Sequence, residues 1–448
     1  MVDKPVNANY CGTVIRIDKL VPLEGCDNVQ AAIIFGNSVI VSKDTERGAL
    51  GVFFPIETRL SEEFLKENSL YRDATLNKDT TKKGYFDQNG RIRAVKFRGH
   101  KSEGIWLPFI CLDYILDFTM VDLPLDDGTD FDIIDGHEVC RKYQVKPTKP
   151  TSERKTKADK KAVKKFDRLV ENQFRLHIDT ENFRRNAHKI NPDDYISITN
   201  KLHGTSWVVG KVLVKEKLGW FKGLLKRFFP RDIVDTKYDV IYSSRMVVKN
   251  KYINEEAKNN AGYYGADVWG EIADTLKDTL LDGITLYGEA IGQLPTGAWI
   301  QKGYDYGTRP NHYEIYVYRI TYTNPEGKLI EFSWPQIKEY CNKFGIKHVP
   351  EFYYGKAKDY CPQIPLEQHW NQNFLGALES EFMLDRKCPL CNTGVFEEGI
   401  VIRIDGLFEC PPYKLKNFNF LSKETEDLDK GVIDLESEQS YTEEEQAE

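Results

Sequence analysis

The sequence predicts an α+β protein, in which a small β-barrel precedes a larger unit of antiparallel sheets flanked by helices. Two observations lead to this prediction. Short strand-like runs separated by turn signals recur before residue 146, whereas strand-like and helix-like runs alternate after residue 168. The chain has 448 residues, and a single domain has roughly 150. We therefore expect two or three domains.

Charge and proline divide the chain further. Residues 146–168 carry ten Lys/Arg and three Asp/Glu, and two prolines lie near their start. Residues 424–448 carry eleven Asp/Glu and one Lys. These shifts predict a β-barrel domain at 1–145, a basic linker or helix at 146–168, a larger domain at 169–423 and a disordered acidic tail at 424–448.

Composition excludes several classes of protein. Hydrophobic residues make up 41% and charged residues 29% of the chain, which is ordinary for a globular protein and excludes a fibrous or wholly disordered one. No apolar run is long enough for a transmembrane helix, and residues 1–9 lack the apolar core of a secretory signal. The nine cysteines are scattered, which favours reduced thiols. We expect a cytoplasmic monomer without a membrane partner.

The net charge of −7 does not exclude a polyanionic partner. Residues 424–448 alone contribute −10, which leaves +3 for the rest of the chain. Within that rest, Arg91–Lys101 ("RIRAVKFRGHK") is basic and has a central aromatic residue. This segment is either a solvated face of the barrel or a contact for an RNA backbone.

The first 110 residues contain the β-strand signals of the barrel. Gly36-Asn37 separates two apolar runs by two residues, which predicts a β-hairpin because glycine accepts a positive φ. The predicted strands are Gly12–Asp18, Val29–Phe35, Ser38–Ser42 and Gly48–Pro55, with a further pair around Arg91–Phe97 and Gly104–Pro108.

The larger unit contains longer strands and two clear helices. The predicted helices are Gly265–Leu281 and Pro335–Phe344. The predicted strands are Tyr195–Thr199, Ser206–Val214, Val240–Ser243, Thr285–Glu289, Glu314–Thr323 and Gly399–Arg403.

Lys201 lies between two apolar strands, in the segment "SITNKLHGTSWVVG". Burial and neighbouring cations would favour its free amine, which can attack a phosphorus or carbonyl centre. Gly204 would let the chain pass close to a ligand. A K-x-x-G match is common by chance, and in isolation a structural lysine beside a turn is the better explanation.

Further charged and aromatic residues lie at the ends of predicted strands. Two carboxylates, one arginine and three lysines with an aromatic strand suit a nucleoside triphosphate site, because lysines neutralise phosphates, a carboxylate holds Mg²⁺ and an aromatic ring stacks on the base. The residues are Lys201, Arg245, Glu289, Tyr318, Glu398, Lys414 and Lys416.

These motifs resemble, in kind and in order, those of the covalent nucleotidyltransferases, the superfamily of ATP-dependent ligases and mRNA capping enzymes. The form "KLHGTS" and the segment "EEGIVIR" after a C-x-x-C are similar to RNA ligases. The N-terminal barrel resembles OB-fold domains associated with tRNA synthetases. An OB domain before the catalytic domain is similar to the branch called family 5 RNA ligases.

The resemblance implies an ATP-dependent RNA ligase that joins 3′-OH and 5′-phosphate RNA ends in RNA repair. Lys201 would be the nucleophile that forms lysyl-AMP, and Lys414 and Lys416 would contact the α-phosphate. The resemblance further implies that Arg245 and Glu289 contact the ribose or neighbouring groups and that Tyr318 stacks on the base. Glu398 would engage catalytic Mg²⁺ or Mn²⁺ through water.

The sequence departs from the family pattern beside the aromatic strand. Many relatives have an acidic residue directly after the stacking aromatic, but Arg319 follows Tyr318. We keep Tyr318 as the stacking residue and hold Tyr316 as the alternative.

Two further sets of residues remain ambiguous in the sequence. Cys388 and Cys391 form one C-x-x-C pair without a second, so reduced buried thiols are favoured over a structural zinc completed by Cys361 and Cys410. His203 has no acidic partner that the sequence reveals, and we predict a structural role.

Three functions remain open from sequence alone. The first is the RNA ligase. The second is a DNA ligase or a capping guanylyltransferase, which the labelling nucleotide would distinguish. The third is a non-catalytic RNA-binding protein that uses the OB barrel, against which the full set of lysines argues.

Overall fold

The computed structural model has the predicted α+β fold, with β-sheets throughout and helices concentrated in the second half. It describes Pro5 and residues 7–116, 125–144, 168–216, 235–249, 267–366, 369–383, 385–406 and 412–430. The basic segment 146–167, Cys410 and residues 431–448 therefore lie outside the described residues. No helix within the described ranges is long and apolar enough to cross a membrane.

The N-terminal region consists of small antiparallel sheets around two apolar clusters. Its strands are β1 (Gly12–Arg16), β2 (Leu20–Pro22), β3 (Val29–Ile34), β4 (Asn37–Ser42), β5 (Leu50–Pro55), β6 (Thr58–Leu60), β7 (Val95–Phe97), β8 (His100–Ser102), β9 (Gly104–Pro108), β10 (Asp130–Phe131), β11 (Ile133–Ile134), β12 (His137–Glu138) and β13 (Cys140–Lys142). The main sheet has the order β10-β1-β5-β9, and a second sheet has the order β2-β3-β4. Helix α1 (Glu62–Glu67) covers one end, where Phe64 and Leu65 are buried.

The predicted hairpin is present, but its turn lies one residue earlier than expected. Ile34 pairs with Asn37, so the turn residues are Phe35 and Gly36. Both have positive φ, 50° and 76°, as a two-residue type I′ turn requires. Asn37 is buried and begins β4, where its side chain donates to Ile34 O at 3.1 Å.

The predicted strand at Arg91–Phe97 forms only over its last three residues. β7 (Val95–Phe97) pairs with β8 in a two-stranded ribbon, while β9, as predicted, covers Gly104–Pro108 and pairs with β5. All three residues of β7 are exposed. The basic segment Arg91–Lys101 thus ends in a protruding ribbon.

The second half of the chain forms two larger sheets. Its strands are β14 (Glu181–Asn182), β15 (Tyr195–Lys201), β16 (Thr205–Lys215), β17 (Thr236–Ser243), β18 (Ile284–Gly292), β19 (Tyr313–Thr323), β20 (Leu329–Glu331), β21 (Lys347–His348), β22 (Glu351–Lys356), β23 (Gly399–Ile404) and β24 (Tyr413–Lys416). One sheet has the order β14-β24-β23-β15-β22, and the other has the order β17-β16-β18-β19-β20 with β21 beside β19. Both are largely antiparallel, as predicted.

Six helices in the described part of this half accompany the two sheets, and the last of them contributes to the cavity described below. They are α2 (Phe183–Asn186), α3 (Val268–Leu276), α4 (Trp334–Phe344), α5 (Ala357–Tyr360), α6 (Trp370–Phe382) and α7 (Phe418–Asp429). Helix α4 has clear sequence signals, because Gln336 accepts from the Ser333 N–H at 2.8 Å and Gly345 ends the helix at φ 67°. Helix α7 crosses the predicted start of the acidic tail, so Glu424 to Asp429 are helical rather than disordered.

Two arginines of α2 join the N-terminal region to the five-stranded sheet. Arg184 is buried and donates to Glu103 at 2.9 Å and to Glu379 at 2.7 Å. Arg185 donates to Thr13 at 2.8 Å. Because a buried charge needs partners from every side that surrounds it, these contacts fix the N-terminal region against the second half of the chain.

Candidate active site

A cavity of about 530 Å³ lies between the two larger sheets. The chain passes from the five-stranded sheet to the six-stranded sheet at Leu202–Gly204, directly after Lys201. All seven residues predicted for the nucleotide site line this cavity. They are Lys201, Arg245, Glu289, Tyr318, Glu398, Lys414 and Lys416.

Lys201 ends β15 and points to a carboxylate. Its Nζ donates to Glu398 Oε1 at 2.6 Å. The sequence led us to expect neighbouring cations around Lys201, whereas its nearest charged partner is a carboxylate. An attack by Lys201 therefore requires that the Glu398 contact be released.

Glu398 is buried and has an oxygen available for a further ligand. Although burial raises the pKa of this carboxyl, the charges of Lys201 and Lys416 outweigh burial and hold the pKa below its usual value. Its Oε2 has no hydrogen-bond partner among the described residues. Because Mg²⁺ and Mn²⁺ prefer hard oxygen ligands, the carboxylate fits the predicted metal contact.

Lys414 and Lys416 lie on the same face of β24, as predicted. Burial, followed by the charge of Lys416, lowers the pKa of Lys414 to about 7. Burial also opposes the charge of Lys416, but carboxylates around it raise its pKa well above the usual value. The two neighbouring lysines thus differ in protonation near neutral pH.

Three carboxylates from different segments surround Lys416. Its Nζ is 3.6 Å from Glu57 of the N-terminal region, 3.8 Å from Glu398 and 3.9 Å from Glu424 of α7. Tyr10 donates to Glu57 at 3.3 Å. The sequence analysis missed Glu57 and Glu424, because only the docking of the N-terminal region and α7 brings them to the cavity.

Glu289 supports the loop after Lys201. Its two carboxylate oxygens accept from the Gly204 N–H and from the Ser206 hydroxyl, both at 3.2 Å. A Cβ on Gly204 would lie 2.2 Å from the Ala290 carbonyl oxygen. The glycine is therefore required by the close approach of β18, and not by a close ligand as the sequence suggested.

Tyr318 occupies a β-bulge that turns it toward the cavity. Val317 pairs with Gly288 and Arg319 with Tyr287, so β19 has one extra residue at Tyr318. Its hydroxyl is hydrogen-bonded to His177 Nδ1 at 2.7 Å. Tyr316 pairs opposite Glu289 and is not among the residues that line the cavity. The geometry favours Tyr318 over Tyr316 as the stacking residue.

Arg319, the residue that departs from the family pattern, is part of a buried ion-pair cluster. It contacts Glu331 and lies 4.4 Å from the ring centre of Tyr287. Arg403 donates to Glu331 at 2.8 Å and to the Tyr318 carbonyl at 2.8 Å. A carboxylate thus lies beside the aromatic strand, although it comes from β20 rather than from the position after Tyr318.

Arg245 follows β17 and reaches the far side of the cavity. It donates to Asp179, which is 3.9 Å from His177 Nε2. Burial, and then the charge of Arg245, lowers the pKa of His177 to about 3. The neutral imidazole next to Tyr318 was not predicted, because the segment around His177 carries no recognisable motif.

His203 has the structural surroundings that we predicted. Its ring packs edge-on against Tyr304 and Phe420, with ring centres 4.9 and 5.0 Å apart. Its backbone N–H donates to the Tyr306 hydroxyl at 2.7 Å. The imidazole Nδ1 is 3.8 Å from Glu398 Oε2, so the ring also screens one side of that carboxylate.

A polar pair behind the site was missed as well. Asn200 donates to Glu397, which forms an ion pair with Arg386 at 2.8 Å. Asn200 directly precedes Lys201 in the chain, and Glu397 directly precedes Glu398. The doubled glutamate in "FEEGIV" was the one sequence signal for this pair. Within the described ranges, no group of three or more His, Cys, Asp or Glu has metal-binding geometry.

Two family models match the chain. The RNA ligase model matches residues 194–416, and an OB-fold domain model matches residues 11–109. No curated protein matches the sequence. The family matches and the cavity together define a nucleotidyltransferase of the ligase class with an OB fold on its N-terminal side.

Solved structures of Naegleria gruberi RNA ligase have a similar fold. A mutant with AMP and Mn aligns with TM-score 0.56 and 16% identity, over 92% of this chain and 98% of that one. A second mutant, with ATP and Mn, has the same values, and a structure with pyrophosphate aligns with TM-score 0.54 and 16% identity over 93% and 98%. Residues 194–416 therefore belong to the RNA ligase family, and an OB-fold domain lies on their N-terminal side.

Proposed function

We propose that this enzyme seals RNA ends that carry a 3′-OH and a 5′-phosphate, through a lysyl-AMP intermediate on Lys201, and that it acts in RNA repair. The observation that supports this most strongly is the position of Lys201. Its Nζ lies in one cavity with Glu398, Lys414 and Lys416. A nucleophile and three charged groups at one point suit phosphoryl transfer, which depends on positioning and charge neutralisation.

In the first step, the free amine of Lys201 attacks the α-phosphorus of ATP. A P–N bond forms, the bond to the bridging oxygen breaks, and pyrophosphate leaves. Lys416 keeps its positive charge and stabilises the phosphate oxygens. An arriving phosphate also favours the protonated form of Lys414, whose pKa of about 7 makes it responsive.

The adenine and the ribose of ATP would lie beside the six-stranded sheet. Tyr318 stacks on the adenine ring, because its bulge turns the side chain into the cavity. Arg245 follows β17 and Glu289 lies in β18, the strands on either side of β16, and both side chains contact the ribose or neighbouring groups. Base stacking needs the ring of Tyr318 and not its hydroxyl, which already contacts His177.

Glu398 is the residue that would hold Mg²⁺ or Mn²⁺, through its unpartnered oxygen. A divalent cation there would neutralise phosphate charge. The carboxylate itself has a second task, because it holds the Lys201 ammonium in place before ATP arrives. Once Glu398 is engaged elsewhere, the Lys201 amino group is released from this contact.

The later steps transfer and release AMP. An oxygen of the RNA 5′-phosphate attacks the phosphorus of lysyl-AMP, so that the P–N bond breaks and RNA-adenylate forms. The 3′-OH then attacks the RNA 5′-phosphorus, a phosphodiester forms and AMP leaves. Lys416 and Lys414 remain beside the phosphates in each step, because they belong to the sheet and not to a loop.

The ribbon of β7 and β8 is a suitable contact for the RNA. Phe97 and Val95 are 46% and 44% exposed, and Lys96, Arg98 and Lys101 lie around them. Lys96 Nζ donates to Asn419 at 3.0 Å, three residues after Lys416. An exposed aromatic ring among cations beside the reactive phosphate suits a nucleic-acid strand.

Labelling with radioactive nucleotides tests this proposal. The purified protein is incubated with α-labelled ATP or GTP, and sealing is measured on nicked duplexes, single strands and broken hairpins with RNA or DNA on each side. We expect covalent labelling by ATP and sealing when the 3′-OH strand is RNA. Labelling by GTP would indicate a capping-type enzyme, equal sealing of all-DNA nicks a DNA ligase, and no adduct a non-catalytic binder.

A further inference from the structure

A buried arginine in the cavity has a hydrogen-bond donor that no described residue uses. Arg319 is 5% exposed and lines the cavity. Its Nε donates to Glu331 Oε1 at 3.0 Å, and its Nη2 donates to the same oxygen. Its Nη1 has no hydrogen-bond partner among the described residues. A buried donor without a partner is costly, and an acceptor on a bound ligand would satisfy this nitrogen.

Two contacts hold the guanidinium group of Arg319 in place. The Tyr287 ring lies against it, with the guanidinium carbon 4.4 Å from the ring centre. The Tyr287 hydroxyl is itself fixed, because it donates to the Arg175 carbonyl at 3.1 Å. Glu331 holds the edge of the guanidinium that carries Nε and Nη2. The Nη1 group is therefore oriented before a ligand binds, as a group that discriminates between ligands needs to be.

Glu331 presents an acceptor beside this donor. Its Oε2 accepts a hydrogen bond from Arg403 at 2.8 Å, and a carboxylate oxygen can accept two. The Glu331 side chain is 16% exposed and lines the cavity, so a ligand can reach it. The cavity thus offers one donor and one acceptor that belong to the same ion pair.

The surroundings of this pair suit a nucleobase better than a phosphate. On β20, Leu329 and Glu331 lie two residues apart and share one face of the strand. On β23, Val401 and Arg403 do the same, and all four residues line the cavity. Apolar side chains with a few polar groups among them are typical of sites for organic ligands, whereas the Glu331 carboxylate would repel a phosphate oxygen. Arg403 also donates to the Tyr318 carbonyl at 2.8 Å, which connects the cluster to the proposed stacking residue.

We propose that Arg319 and Glu331 recognise the adenine of ATP and select it over a base with a 6-oxo group, such as guanine. This inference rests on the function proposed above. Arg319 Nη1 donates to a ring nitrogen of adenine, and the Glu331 carboxylate accepts from the neighbouring 6-amino group. The ring nitrogen is N1 or N7, since both are acceptors beside that amino group. On either edge guanine has an oxygen acceptor at position 6, so the Glu331 carboxylate would face it without a hydrogen bond.

The proposal gives a reason for the unusual residue after Tyr318. The carboxylate beside the aromatic strand comes from β20, as Glu331, and the position directly after Tyr318 holds a donor instead. The exchange leaves an acid next to the stacking residue and adds a second hydrogen-bonding group for the base. Arg319 and Glu331 are thus specificity-determining residues, and the phosphate chemistry does not depend on them.

The experiment measures lysyl-AMP or its analogue on the full-length protein, from the mass of the intact chain. The nucleotides are ATP, purine riboside triphosphate, which lacks the 6-amino group, and inosine triphosphate, which has a 6-oxo group and no 2-amino group. We expect kcat/KM to be higher for ATP than for either analogue by about 5- to 150-fold, the discrimination that a bidentate base contact supplies. The ratio is taken within one protein preparation, so the folded fraction cancels.

Two variants test the two contacts separately. In Glu331→Gln the preference for ATP over inosine triphosphate should fall by about fivefold or more, because an amide can donate to the 6-oxo group. For Arg319, the probes are 1-deaza-ATP and 7-deaza-ATP, and the unmodified protein should use one of them less well than ATP. Arg319→Lys keeps the charge but lacks Nη1, so that deficit should disappear. Tyr316→Phe, a change outside the cavity on the same strand, should keep the ratios of the unmodified protein.

Equilibrium binding to Lys201→Ala gives a second readout, because this variant lacks the amine that forms the adduct. Its dissociation constants should show the same preference for ATP. Equal use of ATP and purine riboside triphosphate by the unmodified protein would overturn the inference, as would a preference over inosine triphosphate that is unchanged in Glu331→Gln. Selective binding of ATP without any lysyl-AMP on the unmodified protein would support the base contacts and count against the proposed function instead.

Discussion

The cavity has two walls that differ in origin. The sheet wall consists of the strands that carry Lys201, Tyr318 and Lys414 with their neighbouring motif residues. The cap wall consists of the N-terminal region and α7, and it contributes Glu57, Arg91, Lys142 and Glu424. Lys416 lies where the walls meet, because the sheet wall supplies Glu398 and the cap wall supplies Glu57 and Glu424.

The two walls therefore differ in the task that we propose for them. The sheet wall carries the residues proposed for the reaction, and the cap wall balances the charge of Lys416. The sheet wall presents the proposed nucleophile and the proposed stacking ring on strands. The cap wall places two carboxylates around Lys416. It is itself held by ion pairs, since Arg91 and Arg93 approach Asp429 of α7 at 3.9 and 3.5 Å. We conclude that changes in the sheet wall should stop single steps, whereas changes in the cap wall should tune binding.

Replacement of the nucleophile should have the largest effect. Lys201→Ala should abolish lysyl-AMP formation, because no other amine in the sheet wall occupies that position, and it should leave the fold intact. Pre-adenylylated RNA should still be sealed at a reduced rate, since the later steps do not need the amine as nucleophile. Label retained by the variant would refute the assignment of Lys201.

Replacement of Glu398, the carboxylate proposed to hold the metal, should have the second largest effect. Glu398→Gln should reduce adenylylation about 10- to 100-fold, as loss of a group that orients a metal and its waters typically does. The effect should be largest at low Mg²⁺, so rates are measured against Mg²⁺ concentration. Glu331→Gln is a useful comparison, because it removes a cavity carboxylate that pairs with arginines. An unchanged Mg²⁺ dependence in Glu398→Gln would contradict the metal role.

The stacking residue should have a moderate effect. Loss of a base–aromatic stack costs about 1–3 kcal/mol, so Tyr318→Ala should weaken ATP use by that amount, and Tyr318→Phe by less. Tyr316→Ala is the matched control, because Tyr316 lies outside the cavity on the same strand. A larger loss in Tyr316→Ala than in Tyr318→Ala would reverse the assignment.

The ribbon in the N-terminal region should affect RNA and not ATP. Lys96→Ala should weaken binding of nicked RNA and reduce the slope of affinity against salt by roughly one. Phe97→Ala should weaken binding without a change in that slope. Self-adenylylation should be unaffected by either change. If adenylylation falls as much as RNA binding does, the ribbon contributes to the nucleotide cavity rather than to RNA binding.

Deletion of the whole N-terminal region is a poorer test than the sequence suggested. From the motifs alone, removal of residues 1–150 should spare adenylylation more than sealing. Glu57, Arg91 and Lys142 line the cavity, however, so the deletion would also change the charge around Lys416. Single substitutions in the full chain keep the two effects apart.

The smallest expected effect concerns Lys414. It is a change in the number of protons bound to the protein when ATP binds. Its pKa of about 7 lies below that of an ordinary lysine, so it is largely neutral at pH 8. A bound triphosphate raises this pKa, and ATP binding at pH 8 should therefore take up part of one proton. Isothermal titration calorimetry in buffers of different ionisation enthalpy measures this proton uptake. Uptake should decline below pH 7 and vanish in Lys414→Met.

The sequence predicted the sheet wall well and the cap wall hardly at all. Lys201, Glu398 and Lys416 were identifiable because their motifs lie at strand ends and follow a known order. Glu57 and Glu424 were not, since their positions depend on how distant segments dock. The bulge at Tyr318 was also hidden, because it depends on the register between β18 and β19 rather than on local residues.

The central claim is that ATP modifies Lys201. The direct measurement is to incubate the full-length protein with ATP and Mg²⁺, digest it and locate AMP by mass spectrometry. The account predicts a single AMP on the peptide that contains Lys201, in a P–N bond that acid cleaves and alkali spares. AMP on Lys414, on Lys416 or on a hydroxyl group would contradict it, as would the absence of any adduct.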